Sequence, residues 1–230
     1  FVPKGVKKKG PLFLHFHGDP MIPEIAASRA DVAVVSAQLG TGSGVYGRPF
    51  TNDPQLFTRL VAEAEAKANM KFSPIILTSW SAGYGAVRAI LRVPEHYARV
   101  DRVMLIDSMH ASYVGDAPST GPDHESLVVP EDVAVFSTFA RDAMDGKKRM
   151  IVTHSEIFPG TYASTTETTD WLVSSLGLTL KPVLKWGPLK MQQLSEAKKG
   201  KFQLIGYAGN SAPDHVDQLH ALPEYFKWLK

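Results

Sequence analysis

The sequence contains no cysteine among its 230 residues, so disulfide bonds, thiolate metal ligands and cysteine nucleophiles are excluded. No apolar run is long enough to span a membrane. The formal net charge of +2 is too small to indicate a nucleic-acid partner. Apart from Lys7–Lys9 and a few pairs the basic residues are dispersed, and we interpret that cluster as a solvated tail. We expect no cofactor, no nucleic acid and no membrane span.

The length and the hydrophobic share of 44% fit one large α/β domain over residues 1–230. The sequence begins at Phe1 rather than Met. A removed secretory signal or cloning would each explain this start, so a secreted, a periplasmic and a cytoplasmic location all stay open. The oligomeric state is left open as well.

Residues 75–88 carry the strongest signal in the chain. They predict an apolar strand, a tight turn of small residues and a helix, with Ser81 at the apex between Ser79 and Gly83. Such an elbow holds its central side chain clear of the sheet, and the backbone N–H of Ala82 can donate to a developing oxyanion. This is the chemistry of an activated serine nucleophile, although a serine-rich helix start after a buried strand would give a similar pattern.

Hydrophobic patterning predicts alternating strands and helices, and therefore a largely parallel sheet with helices on both faces. The predicted strands are Pro11–Phe16, Asp31–Leu39, Ile75–Trp80, Val100–Ile106, Met150–Thr153, the edge strand Leu178–Trp186, and Phe202–Tyr207. The predicted helices are Pro54–Asn69, Ala82–Arg92, Pro130–Met144, Thr165–Leu176, Met191–Lys198 and Val216–Lys230. We expect Gly40–Gly47 to be a flexible loop and residues 108–129 a small lid.

Ligands bind at the carboxyl ends of parallel strands, so the residues that follow each strand are candidates for the site. These are His17, Gly18, Asp19, Tyr46, Ser81, Asp107, His154, Glu156 and His215. A serine needs a base to take its proton, and His215 is preferred because it lies between the last strand and the last helix. His220 falls inside that helix, and Asp214 is expected to support the loop or to cap the helix.

The order of these parts resembles the α/β-hydrolase superfamily over nearly the whole chain from Pro11. The matching parts are His15-Phe16-His17-Gly18 after an early strand, Ser79-Trp80-Ser81-Ala82-Gly83 at the elbow, an acid at a later strand end, and His215. The resemblance implies the α/β-hydrolase fold, a triad in the chain order serine, acid, histidine, and hydrolysis of an ester-like bond. It also implies that the N–H of Asp19 or Gly18 joins that of Ala82 as an oxyanion donor. Ser79 replaces the commoner glycine.

The acid of the triad has more than one candidate. The superfamily most often places it after the penultimate core strand, where Glu156 stands, and a variant places it one strand earlier, where Asp107 stands. Asp107 is preferred because an apolar strand delivers it directly into a loop. Lid carboxylates such as Asp123 remain alternatives, and a turn-capping role would equally explain Asp107.

The expected function is a serine carboxylesterase that acts on a small or medium acyl ester, either carbohydrate-linked or aryl. The expected substrate-binding residues are His17, Tyr46, Trp80, His110 and His154. Three alternatives stay open: a non-catalytic binding protein of the same fold, an amidase or acyltransferase with the same triad, and metal-assisted hydrolysis. The last would use His15 and His17, which share a strand face, but we expect no metal.

Overall fold

The computed structural model describes residues 1–6, 9–116, 121 and 126–229. Lys7 and Lys8 of the predicted basic tail lie outside these ranges. The predicted lid at 108–129 lies partly outside them. Its candidate acid, Asp123, is among the residues outside. No helix in the described part of the chain combines the length and the apolar character needed to cross a membrane.

One mostly parallel sheet of eight strands organises the fold, with helices on both faces. The strands are β1 (Lys9–Phe16), β2 (Ala33–Ala37), β3 (Lys71–Trp80), β4 (Val100–Ile106), β5 (Arg149–His154), β6 (Lys181–Trp186), β7 (Gln192–Lys199) and β8 (Phe202–Tyr207). Their order in the sheet is β2-β1-β3-β4-β5-β8-β7-β6. The predicted fold class is therefore confirmed, and the antiparallel pairs are β6 with β7 and β7 with β8.

Nine α-helices lie between or after these strands within the described residues. They are α1 (Met21–Ala30), α2 (Ser43–Asn52), α3 (Leu56–Ala68), α4 (Tyr84–Leu91), α5 (Pro94–Arg99), α6 (Pro130–Met144), α7 (Thr165–Ser175), α8 (Ala212–His220) and α9 (Leu222–Leu229). The predicted capping box at the start of α7 is confirmed, since Ser164 and Glu167 bond each other's backbone N–H groups.

The chain divides into two compact units, and the prediction of a single domain stays a prediction. Unit 1 comprises residues 1–104 and 219–230. In it, the ring of Phe13 on β1 stacks on that of Phe226 on α9 at 4.0 Å between centroids. Strands β1 and β3 are parallel, with Phe16 opposite Ser79. The segments that follow these two strands therefore start at the same edge of the sheet.

Unit 2 comprises residues 105–218. In it, β8 pairs in parallel with β5 and antiparallel with β7. Strand β6 is the last strand of the sheet, as predicted from its internal Pro182. Proline has no N–H to donate to a ladder, and at an edge one side of the strand needs no partner.

Several predicted elements are wrong. Residues Gln192–Lys199 form strand β7 instead of a helix, because both neighbouring strands pair with them. Helix α2 begins inside the glycine-rich stretch that was predicted to be a loop. Helix α3 begins at Leu56, and His215 lies in the first turn of α8 instead of a loop. Helices α1 and α5 were not predicted.

Candidate active site

Ser81 lies at a sharp turn between β3 and α4. Residues Ser81–Gly83 form one 3-10 turn, and Ser81 has a φ of 48°, in the left-handed region that is costly for any residue except glycine. A Cβ on Gly83 would lie 2.1 Å from the carbonyl oxygen of Phe16. Only glycine fits at this position. The predicted strand, turn and helix are all present, as β3, the 3-10 turn and α4.

Helix α2 packs directly against the helix that follows Ser81. A Cβ on Gly85 would lie 2.2 Å from the carbonyl oxygen of Ser43, and the Tyr84 hydroxyl donates to Ser43 Oγ at 3.1 Å. Helix α2, which begins inside the glycine-rich stretch, therefore makes a close contact with α4. Within the stretch, a Cβ on Gly47 would lie 3.1 Å from the carbonyl oxygen of Gly85, so glycine at this contact provides space and not the flexibility of a loop.

The two candidates for the second oxyanion donor differ in their hydrogen bonds. The Gly18 N–H donates to Gln38 Oε1 at 2.9 Å and is already satisfied. The Asp19 side chain accepts the Met21 N–H at 2.8 Å, whereas the Asp19 N–H has no acceptor among the residues that the structure describes. Of the two alternatives, Asp19 is therefore the better candidate to act with Ala82.

His17 is fixed by two aromatic neighbours. Its Nδ1 lies 2.7 Å from the Tyr46 hydroxyl, and its ring stacks on Trp80 at 5.1 Å and 11°. Tyr46 is fully buried, and its hydroxyl also contacts Gln38 and Gly40. Tyr46 was predicted to bind substrate, but it has no exposed surface to offer one, and its hydroxyl contacts His17 from inside the protein. Trp80 is half-buried beside Ser81 in sequence.

In unit 2, His215 and Asp107 form a close pair. His215 Nδ1–H donates to Asp107 Oδ2 at 2.7 Å. Asp107 directly follows β4 in a left-handed conformation with a φ of 44°, and its side chain is almost completely buried. Because Nδ1 carries the proton in this arrangement, His215 Nε2 is left as the basic nitrogen of the ring.

Three further donors hold the Asp107 carboxylate. Oδ1 accepts the Ser155 N–H at 2.9 Å and the Thr165 hydroxyl at 2.6 Å, while Oδ2 accepts the Ser155 hydroxyl at 2.6 Å. Burial alone raises the pKa of Asp107, but the hydrogen bonds from His215, Ser155 and Thr165 outweigh it and hold the pKa well below its usual range. The carboxylate is therefore ionised and fixed in orientation at neutral pH.

Glu156, the alternative acid, has different surroundings. Its side chain is exposed, and the nearest donor to it is the Gly209 N–H at 3.5 Å. Of the two preferred carboxylates, Asp107 is the one that contacts His215. Asp214 accepts the N–H and the hydroxyl of Ser211, which confirms its expected role in supporting the loop. His220 is exposed at the end of α8.

The remaining predicted histidines make mainly structural contacts. His110 Nδ1–H donates to the Ala163 carbonyl at 2.9 Å, and the ring meets Tyr162 edge-on. His154 is buried, and its Nδ1–H donates to the Ser155 carbonyl at 3.2 Å. Burial lowers the pKa of both histidines, so each is neutral at pH 7. His110 keeps some exposed surface, whereas His154 has almost none to offer a substrate.

The metal alternative has little support in the N-terminal histidines. His15 Nδ1 lies 2.9 Å from Thr78 Oγ1, and burial lowers the pKa of His15 to about 3. His17 turns instead to Tyr46. Throughout the described ranges, no cluster of three or more His, Asp or Glu side chains is arranged to hold a metal ion.

Sequence reasoning missed Gln38, Ser155 and Thr165. Ser155 directly follows β5, and Thr165 is the first residue of α7. Each therefore had a local signal, a polar residue at a strand end or a helix start. That signal does not indicate which distant carboxylate such a residue will contact.

Solved esterases share this architecture. An acetyl xylan esterase from Aspergillus awamori is 16% identical over 99% of this chain and 92% of its own, with a TM-score of 0.52. A truncated carbohydrate esterase from gut microbiota is 13% identical over 100% and 90%, with a TM-score of 0.56. A thermostable carboxylesterase from a metagenomic library is 13% identical over 96% and 80%, with a TM-score of 0.52.

No protein-family model and no curated protein matches the sequence. At these identities the structural likeness establishes the fold alone. The chain has the α/β-hydrolase fold that the resemblance implied.

Proposed function

We propose that this chain, a protein with the α/β-hydrolase fold, is a serine hydrolase that cleaves carboxylic esters. Ser81 is the nucleophile, His215 the base and Asp107 the acid that orients it. The esterases that share the fold support an ester as the substrate class. The chain order serine, acid, histidine supports the same assignment, as does the strained turn at Ser81.

The single observation that carries the proposal is the hydrogen bond of 2.7 Å from His215 Nδ1 to Asp107 Oδ2. An imidazole whose Nδ1–H is held by a buried carboxylate has the tautomer that a general base needs. The carboxylate also stabilises the imidazolium that forms when the base takes a proton. A histidine with a merely structural role has no need of an ionised partner held by three other donors.

The proposed mechanism has two half-reactions. Ser81 Oγ attacks the ester carbonyl while His215 Nε2 accepts its proton, and the tetrahedral oxyanion accepts hydrogen bonds from the N–H groups of Ala82 and Asp19. His215 then protonates the leaving alcohol, and an acyl-enzyme remains on Ser81. Water then attacks the acyl carbon while the same imidazole takes its proton. The bond from the acyl carbon to Ser81 Oγ breaks, the imidazolium returns the proton to Ser81 Oγ, and the acid product leaves.

Within the ester class, we propose a carboxylesterase for small or medium acyl groups. Carbohydrate-linked and aryl esters are the candidate substrates within this class. Two of the proteins with a similar fold are named as esterases of carbohydrates, and this supports the first alternative. His17, Trp80 and His110 are the proposed substrate contacts that keep accessible surface.

The test is labelling by a fluorophosphonate probe, followed by peptide mapping, beside hydrolysis of p-nitrophenyl esters of increasing chain length. We expect the label on Ser81, and Ser81→Ala should lose both labelling and at least 10³-fold in kcat/KM. The matched control is Ser112→Ala, an exposed serine that should behave as wild type. Label on a different serine, or hydrolysis that survives Ser81→Ala, contradicts the proposal.

A further inference from the structure

A groove in unit 2 lies against the helix that carries His215. It has a volume of about 270 Å³, and its two walls are the turn between β6 and β7 and the first turns of α8. The lining includes Trp186, Leu189, Lys190, Gln192, Asp214 and Asp217. None of these residues has a part in the proposed hydrolysis.

One wall of the groove is apolar and unusually exposed. The side chain of Trp186 is 73% exposed and that of Leu189 is 59% exposed. Adjacent large apolar side chains on a surface commonly mark a place where a ligand or partner binds. An indole offers a flat, rigid face at little cost in conformational entropy.

The β6–β7 turn holds this wall in a fixed position. Leu189 and Lys190 both have a positive φ, 52° and 62°, and the Gly187 N–H donates to the Met191 carbonyl at 2.8 Å. A Cβ on Gly187 would lie 2.6 Å from the buried Tyr207 ring, so the turn is seated on the sheet. Strained backbone that is held in this way is typical of binding sites, and a preformed site loses little entropy on binding.

The groove also has polar groups on both of its walls, Gln192 at the start of β7 on the turn side and Asp217 on the α8 side. The Asp217 carboxylate and the side-chain amide of Gln192 make no hydrogen bond to another residue in the described ranges. Asp214 is fixed by Ser211 and lies beside Gly209. The groove therefore combines the aromatic face of Trp186 with carboxylate acceptors and the amide donor of Gln192, which a ligand could use.

We propose that this groove binds one sugar ring of a neutral saccharide chain that carries the ester. This inference rests on the proposed function, because the groove would bind the saccharide part of the ester substrate. The C–H face of a pyranose packs on the indole of Trp186, while its hydroxyl groups donate to Asp217 and accept from Gln192. Two carboxylates against one lysine disfavour an anionic ligand, and the polar groups of both walls disfavour an acyl chain. The volume is below that of drug-sized pockets and suits a single ring.

The test measures saccharide binding and ester hydrolysis separately. Calorimetry with xylotetraose, cellotetraose, mannotetraose and chitotetraose should show binding of at least one of them to the wild type. Trp186→Ala should weaken that binding at least tenfold, and Trp186→Phe should weaken it less. Leu184→Ala is the matched control, because Leu184 is 75% exposed on the same strand but does not line the groove. It should stay within twofold of wild type.

Hydrolysis supplies the second measurement. The ratio of kcat/KM for the acetylated tetrasaccharide to that for p-nitrophenyl acetate should fall at least tenfold in Trp186→Ala and stay within twofold in Leu184→Ala. If the Ser81-dependent hydrolysis is intact but no saccharide binds, the groove proposal is wrong and the proposed function stands. Saccharide binding that depends on Trp186, in a protein without esterase activity, supports the groove and contradicts the proposed function. Aryl-ester binding or self-association that depends on Trp186, without saccharide binding, also overturns the groove proposal.

Discussion

Asp107 is an ionised carboxylate with almost no contact with solvent. A buried charge is costly unless hydrogen bonds replace the lost water, and here the donors are Ser155, Thr165 and His215. Because Ser155 and Thr165 occupy fixed places at a strand end and a helix start, they set the direction of the carboxylate. The orientation of His215 depends on them indirectly.

We predict that Thr165→Val lowers kcat/KM for p-nitrophenyl acetate by about tenfold or more, because a hydrogen bond to a charged group contributes about 1.5–3 kcal/mol. KM should change little, since Thr165 positions the proposed acid Asp107 and is not among the proposed substrate contacts. Steady-state kinetics on purified variants would measure both constants.

Two variants separate positioning from general destabilisation. Thr165→Ser keeps the hydroxyl and should recover most of the activity. Thr169→Val removes another buried hydroxyl from the same helix. That hydroxyl donates to the Thr166 carbonyl and not to Asp107, so the change should affect stability without the loss in kcat. Equal kinetics for Thr165→Val and Thr169→Val would count against the positioning role.

The side chains of Ser81, Asp107 and His215 could be predicted from the sequence, because each lies at the end of a strand or the start of a helix. Asp107 and His215 were both named from position, and the structure brings them into contact. The choice between the Asp19 and Gly18 N–H groups could not be made, because it depends on the Gln38 side chain from another strand end. Partners distant in sequence leave no local signal.

Among the elements, the turn after β3 depends on backbone that approaches very closely. Gly83 faces the Phe16 carbonyl and Gly85 faces the Ser43 carbonyl. Neither carbonyl is the end of a flexible side chain, so neither can move aside cheaply. These close backbone contacts restrict the turn to one conformation, and they hold Ser81 at its positive φ.

We predict that Gly83→Ala lowers the free energy of unfolding by about 2 kcal/mol or more, as expected for overpacking a tight backbone contact. Chemical denaturation would measure it. Gly44→Ala is the matched control: its Cβ would lie 3.8 Å from the Arg48 guanidinium, and alanine favours a helix by up to about 1 kcal/mol over glycine. Wild-type stability in Gly83→Ala would show that the turn can relax.

Elements with strong periodicity were predicted well, and those decided by packing were not. Strand β4, helix α6 and strand β8 have the predicted bounds, because each has a clear apolar pattern and clear end signals. Strand β7 has the sequence QQLSEAKK, which favours a helix, and it is a strand because it pairs on both sides. Helix α1 buries small residues against α9, so its pattern was too weak to detect.

For the whole molecule, buried histidines couple stability to pH. The folded pKa of His15 is about 3, below the value of about 6.5 for an unfolded chain. Between these two pKa values the unfolded state binds a proton at His15 and the folded state does not. The free energy of unfolding therefore falls as the pH drops from about 6.5 towards 3.

We predict that between pH 6 and pH 5 the wild type loses about 1 kcal/mol more stability than His15→Gln does. Glutamine keeps a polar group near Thr78 but has no proton to bind in this range. Urea denaturation at the two pH values measures the difference. His220→Gln, at an exposed position, serves as the control and should follow the wild type. Parallel pH curves for wild type and His15→Gln would refute the linkage.

The outermost strand, β6, bears on how the molecule behaves in concentrated solution. An open strand can recruit a strand of another molecule and start a growing fibre. Here Pro182 has no N–H to offer an added strand, and Lys181 is an exposed lysine beside it, whereas Lys185 is paired with Glu196 on β7. This edge is therefore expected to be a poor seed for polymerisation, although the strand carries the exposed apolar side chains of Leu184 and Trp186.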